Sequence, residues 1–208
     1  MTKDQMQNVR DDIAYMRAMA EEGRKAPLLG GAILISAGLI FSAASLLAWA
    51  GQTGFGGVTV EAANWAWLGA MVLFVVVLTV FSRRLGGKPG SMSPVNRAAG
   101  TAWMGVGLAI FVMALSMAIV AWRFQSAEVM TIFPSLIFAM YGSGWAVSAA
   151  MSDKKWLWWV AIGAWIGAPL IALMTGDPEQ YLVYAAGLLL LTVAPGVVLI
   201  RQEPAEVI

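Results

Sequence analysis

Six long stretches of this chain carry no Asp, Glu, Lys or Arg, and they leave it one kind of solvent in which to fold. They lie near 27–50, 63–82, 98–122, 129–151, 156–174 and 180–200. An uncharged apolar run of 18 or more residues is long enough to cross a bilayer as a helix, at about 20 residues per crossing. Composition agrees: 60% of the 208 residues are hydrophobic and 12% are charged. A soluble domain carries about 25% charge to cover its surface. The expectation is an all-α membrane protein, a six-transmembrane helix bundle of three antiparallel hairpins. A cytoplasmic amphipathic helix at 1–26 precedes the membrane domain at 27–201, and a short tail follows at 202–208.

The basic residues orient this arrangement. Twelve of the thirteen fall in the N-terminal segment, in the second and fourth connections, or after the last span. Only Arg123 falls on the other side, among Glu61, Glu128, Asp177 and Glu179. Lys and Arg concentrate on the cytoplasmic side of membrane proteins, so both termini are expected inside. Trp49, Trp65, Trp67 and Trp122 then mark the outer edge, and Trp103, Trp156, Trp158 and Trp159 the inner one. Amphipathic rings favour the headgroup level. The segment before the first span is long and of mixed charge, unlike a secretory signal. No Asn-x-Ser/Thr acceptor occurs, which favours a bacterial inner membrane.

Residues 4–25 carry the most informative pattern outside the spans. Met6, Val9, Ile13, Met16 and Ala20 recur at alternating spacings of three and four, forming one apolar stripe on a helix. The stripe can be covered by the inner leaflet, by the chain's own loops, by the same helix of a second copy, or by another protein. Helices that lie on a leaflet have a basic polar face and large aromatics on the apolar face. This segment balances its acidic and basic residues, and Tyr15 is its one aromatic. A protein partner, or self-association, fits it better.

Several chemistries are excluded. Cysteine and histidine are both absent, which removes thiolate nucleophiles, Cys-ligated metals, and the side chain that titrates near neutrality. An HExxH zinc-protease signature is therefore impossible, and the acidic motif of CDP-alcohol phosphotransferases is missing. Charged residues inside the bilayer mark proton relays and ion paths, and none is found within the spans. Met113 and Met117 lie one turn apart, but without Cys or His they read as adaptable core filler and not as a Cu(I) path. Gly86-Gly87-Lys88-Pro89-Gly90 lacks the spacing of a phosphate-binding loop and reads as a basic turn near anionic headgroups. No cofactor, no metal and no nucleic-acid partner is expected.

The spans carry packing chemistry instead. Gly163 and Gly167 form a GxxxG pair, and Gly144 and Ser148 belong to a second small-residue face. Such faces let helix backbones approach closely. Pro134, Pro169 and Pro195 interrupt the last three spans, and proline removes a helical hydrogen bond. Pro134, Ser135, Pro169, Tyr181 and Tyr184 group towards the outer side, where kinked helices and hydroxyls could line a pocket.

Three functional expectations follow. The first is a non-enzymatic membrane scaffold or accessory subunit whose N-terminal helix docks a protein partner or another copy of itself, with membrane lipids around it. The alternative is a small transporter or binder of lipid-like molecules using the outward pocket. An enzyme acting at a membrane face through Asp153, Asp177 or Glu179 is the weakest, because these residues suit connection turns.

Overall fold

The computed structural model describes residues 3–25 and 27–203, with side chains described for residues 6–17 and 27–203. These residues are helical throughout, joined by short turns. Helix α1 (Lys3–Lys25) is the polar N-terminal helix. Helices α2 (Gly31–Thr53), α3 (Val60–Leu85) and α4 (Pro94–Phe124) follow. A 3₁₀ turn at Glu128–Ile132 leads into α5 (Phe133–Met151), and α6 is Leu157–Ala172. The last apolar segment is built from α7 (Glu179–Leu188), a π-turn (Leu189–Val193) and α8 (Ala194–Ile200).

Five of these helical units are long and apolar enough to cross a membrane: α2, α3, α4, the unit at Glu128–Met151, and the unit at Glu179–Ile200. The sixth apolar segment folds as the shorter α6, with 16 residues. At 1.5 Å per residue that helix covers about 24 Å. Tight turns continue it at both ends, through Trp156 and through Leu173 to Thr175.

The bundle has a centre and two flanks. Helix α2 packs on α7 and α8, α6 packs mainly on α5, and two clusters of buried side chains join these helices. Helix α3 lies along α2, and α4 lies along α5. In α2 and the last unit 39% of the apolar window is buried, against 6% in α3 and α4. Each flanking helix buries one stripe only. On α4 this stripe runs through Val95, Ala99 and Met117, with Met113 half-buried beside it.

The prolines interrupt the apolar segments to different extents. Pro134 stands in the first turn of α5, where a missing N–H costs little. Pro195 follows the π-turn inside the last unit, where it has no N–H to give the Leu191 carbonyl. Pro169 lies inside α6, one turn before its end. The first span was expected from residue 27, but Gly30 takes φ 110° and α2 starts at Gly31.

Two helix backbones come close together at Gly31 and Gly196. A Cβ on Gly31 would lie 2.6 Å from the Gly196 carbonyl oxygen, and one on Gly196 would lie 3.0 Å from that of Gly31. Farther along, Ser42 Oγ donates to the Ala185 carbonyl at 3.2 Å and Ser45 Oγ to that of Tyr181 at 2.7 Å. Small residues and hydroxyls thus seat α2 against the last unit, as they do where lipid removes the hydrophobic drive for helix association.

Candidate functional site

Helix α1 presents an uncovered apolar face. Met6, Val9, Ile13 and Met16 are 41–61% exposed, and Tyr15 is 67% exposed. The side chain of Ala20, the last member of the stripe, lies outside the described residues. Gln7 Nε2 donates to Asp11 Oδ1 at 3.3 Å on the helix surface, a local bond of the kind that supports an isolated helix. Helix α1 touches the bundle at α4.

The root of this helix is tied down with unusual care. Asn96, in the first turn of α4, accepts the Leu29 amide through Oδ1 at 2.9 Å. Its Nδ2 donates to the carbonyls of Pro27 and Gly90, both at 2.9 Å. Glu203 Oε1 receives the amides of Gly30 and Gly31, at 3.1 and 3.0 Å. Its other oxygen accepts from Lys88 Nζ at 2.7 Å. Leu28 is buried between these polar arms. At the same end Lys154 Nζ donates to Gln202 Oε1.

This cluster was not visible as a site in the sequence. Lys88 and Arg97 read as parts of a loose basic turn, and Glu203 read as tail. One signal existed. Gly30 carries no side chain to cap α2, and the first amides of a helix need acceptors. A carboxylate there also meets the positive end of the helix dipole. The acceptor arrives from 172 residues downstream.

The residues expected to line an outward pocket are placed as follows. Pro134, Ser135 and Tyr184 are buried, Tyr181 is half-buried and Pro169 is exposed. Ser135 Oγ donates to the Ala168 carbonyl at 2.7 Å. Tyr184 packs on Phe138, ring centroids 5.4 Å apart, within a cluster that includes Ile137, Ala168, Ile171 and Leu188. Nearby, buried Gln180 donates to the Thr131 carbonyl at 2.8 Å, joining the start of α7 to the turn before α5.

The small residues singled out for packing face large side chains of the same chain. A Cβ on Gly144 would meet the Trp103 ring at 3.3 Å, one on Gly163 Leu191 at 3.1 Å, and one on Gly167 Phe138 at 3.1 Å. Ser148 Oγ accepts from Trp103 Nε1 at 3.2 Å. Trp103 was expected at the membrane edge. It turns inward instead, edge-on to Trp145 at 5.1 Å and to Tyr141 at 5.5 Å. The ring finds a hydroxyl there, and aromatic neighbours that the headgroup layer does not supply.

The acidic residues weighed for catalysis do not gather. Asp153, Asp177 and Glu179 are exposed, and among the described residues no three acidic side chains come together as a metal site would need. Asp177 sits in the turn before α7, where its carbonyl accepts the Gln180 amide at 3.1 Å. Comparison with protein-family models, with curated proteins and with solved structures gives no match.

Proposed function

We propose that the chain is a six-span scaffold or accessory subunit of a bacterial inner membrane, with both termini cytoplasmic. Its N-terminal helix docks a protein partner or another copy of itself. The observation that carries this reading is the stripe Met6–Val9–Ile13–Met16, exposed on a helix whose root is fixed to the bundle by Asn96 and Glu203. An exposed apolar helical face with anchors at i, i+3 or i+4 and i+7 is what helix-in-groove recognition uses. Balanced charge around the stripe favours a protein surface over an anionic leaflet. The filled space around Phe138 and Tyr184 supports this reading over an outward ligand pocket. In this arrangement α6 is the fifth span, and the twelve basic residues face the cytoplasm.

The test compares the full chain with an Ile13→Gln, Met16→Gln variant, both extracted in mild detergent and sized by light scattering. Glutamine keeps helix propensity and removes the apolar face. Loss of a co-purifying protein, or of a second copy, from the variant supports the docking role. Identical mass and identical composition would sink it.

A further inference from the structure

We propose that the first turns of α4 form a binding site for an anionic phospholipid, with Arg97 holding the phosphate. A shallow groove of about 580 Å³ runs along this part of the helix, lined by Pro94, Arg97, Ala98, Thr101 and Ala102. Among these residues Arg97 carries the one charge, a guanidinium with no ion pair or hydrogen bond among the described residues. The remainder is methyl groups, a proline ring and one hydroxyl. Thr101 Oγ1 donates to the Arg97 carbonyl at 2.8 Å, so its lone pairs are left to accept from a headgroup.

Farther along α4, Gly105 stands in open space, with nothing within 4 Å of where a Cβ would be. An open helix surface beside an arginine with no partner among the described residues suits a phosphodiester with an acyl chain hanging from it. The planar, weakly hydrated guanidinium matches two phosphate oxygens at once. Basic pockets among helices at the charged end of a membrane protein take anionic headgroups for this reason.

Other basic residues stand at the same end but outside the groove. Arg83 and Arg84 end α3, and Arg97 lies three residues into α4 at the same end of the bundle. Lys88, between them, is occupied by Glu203. The site is independent of the docking role of α1 and needs only that α4 be embedded in lipid.

The experiment is native mass spectrometry of the detergent-solubilised full chain with dioleoylphosphatidylglycerol or dioleoylphosphatidylcholine. The intact chain should retain one phosphatidylglycerol about ten-fold better than phosphatidylcholine, the scale of a charge-assisted contact. Arg97→Ala should erase that preference. Ala98→Leu, which fills the groove and keeps the charge, should lower occupancy by both lipids. Arg83→Ala, outside the groove, should change neither. Retained preference in Arg97→Ala overturns the proposal. So does an equal loss in Arg83→Ala, which would mean diffuse charge, or displacement of the lipid by inorganic phosphate, which would mean an anion site without a chain groove.

Discussion

Lys88 Nζ lies 2.7 Å from Glu203 Oε2, and this pair joins the loop after α3 to the segment after α8. The Glu203 side chain is 3% exposed and that of Lys88 is 18% exposed, so water screens the pair little. The carboxylate has a second duty, because its other oxygen accepts the two amides that open α2. Three parts of the chain distant in sequence therefore share one charged group. A buried carboxylate persists when each of its oxygens is satisfied in this way.

Removing this group should loosen the whole end of the bundle. Glu203→Ala leaves Lys88 without its partner and two helix amides without acceptors, at an expected cost of about 2–3 kcal/mol. Glu203→Gln keeps an acceptor for the amides and should cost about half as much. Reversible unfolding in mixed micelles reads both values. Equal stability of Glu203→Ala and the unaltered chain would show that the pair contributes nothing.

Asn96 should matter through its backbone contacts. Asn96→Ala frees the Leu29 amide and the carbonyls of Pro27 and Gly90. The expected effect is a loss of about 1–3 kcal/mol. Faster hydrogen exchange at Leu29, and cleavage between α1 and α2 by added protease, would be the local signature. Unchanged exchange there would mean that the clamp does not hold the root of α1.

Two glycine substitutions should have opposite signs. Gly196→Ala pushes a methyl against the Gly31 carbonyl and the Ile35 side chain, and overpacking of this kind costs about 1–3 kcal/mol. Gly105→Ala meets nothing within 4 Å. It should stabilise the free chain by about 0.5–1 kcal/mol through helix propensity. Thermal unfolding of the two variants in the same detergent separates them, and a destabilised Gly105→Ala would mean that another backbone lies against α4.

The π-turn offers a paired test. Pro195 has no N–H for the Leu191 carbonyl, and Trp145 Nε1 donates to that oxygen at 3.0 Å. Trp145→Phe should therefore destabilise by about 1–2 kcal/mol, beyond the change in ring size, by removing a hydrogen bond from a part-buried carbonyl. Thr192, in the same turn, is fully buried and its hydroxyl finds no partner among the described residues. Thr192→Val keeps the shape and removes the orphan, and should stabilise by about 1 kcal/mol. Loss of stability in Thr192→Val would show that the hydroxyl is bonded.

Much of the helical layout was legible from the chain alone, because an apolar run in lipid has few conformations open to it. Helices α3 and α4 begin at local caps, Thr59 and Ser93, a few residues before the apolar runs. Helix α2 has no such local cap. Gly30 has no side chain, and the amides of Gly30 and Gly31 are taken by Glu203. The same limit applied to Trp103, whose inward turn depends on Ser148, Trp145 and Tyr141 of α5.

By itself, then, the sequence determined what is local or periodic: the helices, their apolar length, the lack of thiol and imidazole side chains, and the apolar stripe of α1. Tertiary structure alone decided which of those features are used up inside the chain. Ser135 and Tyr184, expected to border a pocket, are buried, the one bonded to the Ala168 carbonyl and the other packed on Phe138. Glu203 became a structural anchor because a distant helix lacked a cap. The physical reason is common to these cases. A polar group or a glycine is recognised in sequence by what it can do, but its partner is chosen by the chain's return in space, and that return has no local signature.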